Sequence, residues 1–253
     1  MTNPLRWFLT GLTVLVALSA PVAAQPSGLV VSVAASVYDA LEEIAGLYRA
    51  RTGVTVALNA GGSNTLARQI VEGAKAGLFI SADARQMDVV EKAGLIVSGT
   101  RTRLLTNELA VIVPADSKGL TLERVLRGDI ARLALGDPGA VPAGVYARAW
   151  LEHEGAWSRL ESKVIPFPTV TAVLTAVESG RVDAGVVYRT DARSSKAVRA
   201  LGHISSTQHS YLDISYPAAV IAGPSEAEAK RFLQFLVGPA ARAVFDRRGF
   251  GKP

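Results

Sequence analysis

An α/β fold is the prediction, and three observations carry it. Short apolar runs alternate along the chain with stretches of helical periodicity, the pattern of strands and helices wound in succession into largely parallel sheets. Several of the turns from run to helix are rich in glycine, alanine and hydroxyl residues. The 253 residues, 49% hydrophobic and 19% charged, suffice for one large or two modest domains around a substantial core. That composition is not that of a disordered chain.

The elements follow in order. Ahead of them, Arg6 precedes an apolar run from Trp7 to Ala20, and Pro21-Val22-Ala23-Ala24 supplies small residues. A positive start, an apolar centre and a small-x-small end define a secretory signal peptide, here residues 1–24 with the cut after Ala24. A membrane anchor is the rival reading, but the run is short for a bilayer and no basic stop-transfer flank follows it. Leu29 to Val33 is an apolar strand. Val37, Leu41, Ile44, Ala45 and Tyr48 then recur at helical spacing, and Gly53 closes that unit. Val54 to Leu58 is a second strand, Leu66 to Ala76 a helix, Leu78 to Ser81 a third strand, and Met87 to Ala93 a helix. Leu109 to Val113 is a new strand, stopped by Pro114. Leu122 to Leu126 is helical, Leu133 to Leu135 a strand, Val145 to His153 a helix and Lys163 to Pro166 a short strand. Val170, Val173, Leu174 and Val177 form a helical stripe before the strand Val186 to Tyr188. After the strand Ala218 to Ile221, Ser225 and Glu228 suggest a capping box for a helix from Glu226 to Val237. Pro239 suits the first position of a last helix through Phe245. There is no internal repeat or long linker, so two domains in one compact body are expected.

Composition excludes several chemistries. Without cysteine there is no disulfide framework, zinc–thiolate site, iron–sulfur cluster, thiol nucleophile or cysteine-linked lipid anchor. The net charge of +5 is spread among interspersed acids and bases, which describes a mildly basic surface and no nucleic-acid footprint. The three histidines, His153, His203 and His209, fall in helix or loop with no evident partner. Neither a G-x-S-x-G elbow, a Walker A loop, G-x-G-x-x-G nor H-E-x-x-H occurs. Glu42-Glu43 reads as a solvated helical face, and Arg247-Arg248 as a solvated tail.

Three strand-to-helix turns remain. They are Ala34-Ala35-Ser36, with Asp39 suggesting a capping box, Gly61-Gly62-Ser63-Asn64-Thr65, and Gly136-Asp137-Pro138 with Val141-Pro142-Ala143-Gly144. Such turns offer backbone N–H groups at the positive end of a helix, where an anion is held. Each also has a purely structural reading: Ser36 as a cap, the glycine pair as a turn, Pro142 as a helix start. Tyr188, ending a strand, reads equally as a core residue with a hydrogen-bonded hydroxyl. Their co-occurrence points to a ligand at the carboxyl ends of strands.

The residues in these blocks resemble a known family, the periplasmic molybdate-binding proteins of ABC import systems. The resemblance runs through Val33-Ala34-Ala35-Ser36, Ser63-Asn64-Thr65-Leu66-Ala67-Arg68-Gln69-Ile70 and Leu78-Phe79-Ile80-Ser81-Ala82-Asp83. It continues through Gly136-Asp137-Pro138, Val141-Pro142-Ala143-Gly144-Val145-Tyr146-Ala147, Gly185-Val186-Val187-Tyr188 with Asp191-Ala192, Tyr216-Pro217, and Gly238-Pro239 with Phe245 and Gly249-Phe250. It covers essentially all the chain beyond the leader. It implies a type 2 periplasmic binding protein: two α/β lobes, a ligand cleft and two hinge crossovers. Residues 25–105 with 214–253 would form lobe one, and 106–213 lobe two. The oxyanion positions carried over one by one are the hydroxyls of Ser36, Ser63 and Tyr188 and the backbone donors of Ala143 and Val170, the latter behind a capping Thr169. The chain departs from the family at Gly77, often an aspartate; at Gly62 and Asn64, often hydroxyl residues; and at Tyr38, usually smaller.

The resemblance implies no catalysis and no cofactor. Its ligand is molybdate or tungstate, and its partner a cognate ABC permease in the inner membrane. A periplasmic monomer without nucleic-acid contacts is expected. Molybdate is a dianion with four acceptor oxygens, and a site built only of donors suits it. A monoprotonated phosphate would leave its proton unpaired there, and sulfate is smaller. The alternatives are a receptor for another oxyanion such as sulfate and an exported hydrolase using Ser36 or Ser63, which lacks a recognisable base. A regulator's effector lobe would need a helix-turn-helix where the leader stands.

Overall fold

A computed structural model describes residues 28–253; the expected signal peptide lies outside the described residues. The strands are β1 (Leu29–Ala34), β2 (Val56–Gly61), β3 (Leu78–Ile80), β4 (Thr102–Thr106), β5 (Leu109–Pro114), β6 (Leu133–Gly136), β7 (Val164–Phe167), β8 (Ala184–Tyr188), β9 (Val198–Ile204) and β10 (Ser215–Val220). The helices are α1 (Tyr38–Thr52), α2 (Ser63–Val71), α3 (Ala84–Lys92), α4 (Leu122–Arg127), α5 (Pro142–His153), α6 (Trp157–Leu160), α7 (Val170–Glu178), α8 (Arg189–Ser194), α9 (Glu226–Val237) and α10 (Pro239–Arg248).

Two five-stranded sheets result, ordered β2-β1-β3-β10-β4 and β7-β6-β8-β5-β9. In the first, β1 is parallel to β2 and β3, while β10 is antiparallel to β3 and β4. In the second, β6 is parallel to β7 and β8, while β5 is antiparallel to β8 and β9. Each sheet therefore has four strands in one direction and one reversed strand in the fourth place. The chain passes between the sheets twice, directly after β4 and again between β9 and β10. The reversed strands, β5 and β10, are the ones that these crossings deliver.

Fully covered strands are continuous apolar runs, as sheets with helices on both faces require. Every residue of β8 and β10 is buried, and so is all of β5 but its final Pro114. Tyr48 of α1 packs edge-on against Phe232 and Phe235 of α9, with ring centroids 5.0 and 5.1 Å apart. The C-terminal helices are thereby fixed to the first sheet. Arg247 and Arg248 are part of that attachment and not a solvated tail: both reach Glu43 of α1. Glu43 correspondingly leaves the solvated face expected of it. The expected capping box at Ser225 does not form either. Ser225 makes no side-chain cap, and Glu228 accepts instead from the Tyr48 hydroxyl.

Other differences concern boundaries and short elements. α2 ends at Val71, and β2 is shifted two residues, to Val56–Gly61, by its pairing with β1. Strands β4 and β9 have mixed exposure and no clear period, so periodicity does not mark them. No helix among the described residues is long and apolar enough to cross a membrane.

Candidate functional site

The carboxyl ends of strands from both sheets converge on one small cavity. It is lined by Ala34, Ala35 and Ser36 after β1, Gly61, Gly62 and Ser63 after β2, Ala82 after β3, Val141, Pro142 and Ala143 at the start of α5, Thr169 and Val170 at the start of α7, and Tyr188 ending β8. All five positions singled out in the sequence, Ser36, Ser63, Ala143, Val170 and Tyr188, meet here. No lining residue carries a charge. The cavity volume of about 20 Å³ exceeds the roughly 10–15 Å³ that one water needs.

Ser36 does not cap a helix. The chain makes a 3-10 turn at Ala35–Val37, and α1 then begins without a side-chain cap from Ser36 or Asp39. Ser36 Oγ lies instead 3.0 Å from the hydroxyl of Tyr216 on β10. That hydroxyl also accepts from Asn107 Nδ2 at 3.2 Å. The amide of Asn107 is oriented by Nδ2 donating to Thr190 Oγ1 at 2.9 Å and by Oδ1 accepting from the Glu108 N–H at 2.9 Å. An amide nitrogen only donates, so Asn107 fixes the Tyr216 hydroxyl as an acceptor on that side and holds it against Ser36, where either hydroxyl can donate. Ser63 is set the same way. It is buried, and its Oγ accepts from the Ala82 N–H at 2.9 Å, leaving its proton to point elsewhere.

Three helix starts supply backbone donors. At α2, α5 and α7 the first N–H groups have no acceptor within their own helix, and the helix dipole adds positive potential there. Pro142 at the first position of α5 removes one N–H, so the next belongs to Ala143. Thr169 caps α7 as expected: its Oγ1 accepts from the Ala172 N–H at 3.2 Å, and Val170 opens the helix. Gly144 seats α5. A Cβ there would stand 1.9 Å from the Gly136 carbonyl oxygen, so only glycine lets the helix start press on the end of β6.

Tyr188 departs from its structural reading. It is buried, and its hydroxyl has no hydrogen-bond partner among the described residues. Leaving such a group unpaired costs about 1–3 kcal/mol. Burial, with the Tyr216 ring 5.6 Å away, holds its pKa well above the ordinary 10.0. Burial does the same for Tyr216. Both remain protonated donors. Beside them, burial pushes the Asp191 carboxyl up to about 8, against the lowering effect of the Tyr188 N–H donated to it at 3.1 Å. Burial also raises Asp83, which caps α3 through the Gln86 N–H at 2.9 Å.

Tyr216 enters the sequence reading only through the Tyr-Pro pair of the resemblance. Asn107 gives no sequence signal, because it lies in the short crossing between β4 and β5. Neither Ser36 nor Ser63 is bonded to a base; their partners are a phenol and a backbone N–H. What the arrangement can do chemically is donate hydrogen bonds, from both sheets, to a compact acceptor-rich ion.

Comparison with known proteins agrees in kind. The family model described as bacterial extracellular solute-binding protein matches residues 29–251. The chain is 39% identical over 230 residues to the molybdate-binding protein ModA of Escherichia coli (strain K12), covering 88% of each. It is 31% identical over 224 residues to ModA of Haemophilus influenzae, covering 86% of this chain and 87% of that protein. The solved structure of the Azotobacter vinelandii periplasmic molybdate-binding protein is similar with a TM-score of 0.79 at 25% identity, over 89% of this chain and 99% of that one. With the two sheets, the crossings and the shared cavity, the match over nearly all described residues has one consequence: this chain belongs to the bacterial extracellular solute-binding protein family.

Proposed function

We propose that this protein binds molybdate, and tungstate as well, in the cavity between its sheets and delivers it to a cognate ABC permease in the inner membrane. The observation that carries the reading is the buried, unpartnered hydroxyl of Tyr188 in an uncharged cavity that Ser36 and Ser63 also line. A tetrahedral dianion supplies the acceptors that these donors lack. Backbone N–H groups of Ala143 and Val170 complete the shell and spread the charge without a cation. No cofactor and no catalytic step are needed. The relatives' molybdate binding and their similarity over the full fold support the same ligand.

Lobe one would be residues 25–105 with 214–253 and lobe two 106–213; the division of β1–β4 and β10 from β5–β9 between the sheets supports this layout, with β4 running on through Thr106. Export by cleavage after Ala24 would place the protein in the periplasm. Because one chain closes the cavity, a monomer suffices. Calorimetric titration with molybdate, tungstate, sulfate and phosphate tests the reading. Saturable one-to-one binding of the first two, with the others silent, is expected. Binding of sulfate or phosphate in preference to molybdate would overturn it.

A further inference from the structure

Two of the three histidines meet on the surface, far in sequence from each other. His153 is the last residue of α5, and Glu154 caps that helix. His209 lies in the segment between β9 and β10, which is the second crossing between the sheets. One ligand atom from each of the three residues lies within 4.8 Å of the others. The two imidazole rings stand edge to face, with centroids 6.1 Å apart. Nδ1 of His209 lies 3.2 Å from the Tyr211 hydroxyl, which orients the ring and leaves Nε2 for a ligand. A hydrogen bond of that kind on the second ring nitrogen is the usual support of a metal-binding histidine.

The crossing is itself ordered. The His209 N–H donates to the Ser205 carbonyl at 3.0 Å, and the Leu212 N–H to the His209 carbonyl at 2.9 Å. Its far end is already tied to α5, where the Tyr146 hydroxyl donates to the Asp213 carbonyl at 2.8 Å. Arg103 of β4 pairs with the Asp213 carboxylate at 2.8 Å.

We propose that His153, Glu154 and His209 form a site for a zinc-class divalent cation, which clips the second crossing to the end of α5. Two imidazoles and a carboxylate suit zinc, cobalt or nickel with water in the remaining position, and disfavour magnesium and calcium. Ligand atoms around a tetrahedral zinc lie roughly 3.4 Å apart at bond lengths of about 2.0–2.1 Å. Rotation of the exposed His153 and Glu154 side chains closes the difference. The proposal does not depend on the oxyanion reading, since no residue is shared with the cavity.

The test is calorimetric titration of tag-free, chelator-stripped protein with zinc chloride, without molybdate. One saturable site is expected. His153→Ala and His209→Ala should each weaken it at least tenfold, whereas His203→Ala, on β9, should leave it unchanged. Cobalt should give visible absorption bands that vanish in both site variants, and the metal-free unfolding midpoint of His153→Ala should match wild type because that position is exposed. Absence of saturable zinc binding, or wild-type binding in the double His153→Ala/His209→Ala variant, would overturn the site. Zinc should also slow amide exchange across residues 205–214, and bound zinc without that slowing would overturn the clip.

Discussion

A serine hydroxyl has one proton, and what its oxygen accepts decides where that proton points. At Ser63 the Ala82 N–H takes the oxygen; at Ser36 the partner is the Tyr216 phenol. If both serines hold the oxyanion as proposed, replacing either by alanine should weaken molybdate binding by about 1–3 kcal/mol in calorimetry. Tyr216→Phe keeps Ser36 but removes the hydroxyl that holds it in place, so a smaller loss of about 1 kcal/mol is expected. Unchanged affinity in that variant would show that the Asn107–Tyr216–Ser36 chain does not orient the donor. Asp191 sets a pH dependence of stability. Its folded pKa of about 8 stands above the ordinary 3.8. Below about pH 4 the carboxyl is protonated in folded and unfolded chains alike. As pH rises toward 8, the unfolded chain gives up the proton and the folded one keeps it, so stability falls across that window and levels off above it. Asp191→Asn retains an acceptor for the Tyr188 N–H and removes the titration. Thermal unfolding at pH 5 and pH 8 should therefore differ less in the variant than in wild type. An equal difference in both would refute the assignment to Asp191.

Elements place these residues by way of helix starts, and the tightest seat is that of α5. In Gly144→Ala the new methyl would stand 1.9 Å from the Gly136 carbonyl oxygen. This is backbone against backbone, so α5 must lift from β6. Overpacking of this kind costs typically 1–3 kcal/mol, and the Ala143 N–H moves with the helix. A lower unfolding midpoint together with weaker molybdate binding is expected; loss of one without the other would separate the seat from the donor. The alternation of apolar runs and helical stripes made most of these elements legible, because covered strands must be continuously apolar and covering helices amphipathic. The turns at Ser36, Ser63 and Ala143 were legible as anion-holding shapes for the same local reason. What failed was non-local. Ser36 and Asp39 have the spacing of a cap, yet the serine is drawn to Tyr216, 180 residues away. Ser225 and Glu228 likewise have the spacing of a capping box, yet Tyr48 takes the glutamate. Strands β4 and β9 are held by their neighbours in the sheet and carry no pattern of their own.

At the scale of the whole molecule, the two crossings make the cavity a property of both lobes. Each crossing delivers a reversed, buried strand into the sheet it enters, β5 in one direction and β10 in the other. The hydroxyls of Ser36 and Ser63 then face the helix starts of α5 and α7 across the gap. Full coordination requires the lobes to stand together, and hinge closure on the ligand is the motion such a layout permits. Gly62 measures that closure. A Cβ at this position would lie 2.9 Å from the Pro168 carbonyl oxygen on the facing lobe. Its φ of −65° and ψ of 134° are open to any residue, so alanine strains nothing within lobe one apart from the movable Asn64 side chain. Gly62→Ala should therefore leave the unfolding midpoint of the empty protein unchanged. Molybdate affinity should fall by about tenfold, near 1.4 kcal/mol, because the methyl props the lobes apart. Small-angle scattering should show molybdate compacting the wild type more than the variant. If Gly62→Ala binds and compacts like wild type, the approach of Gly62 to Pro168 is incidental to closure, and the gap between the lobes is bridged by the donors alone.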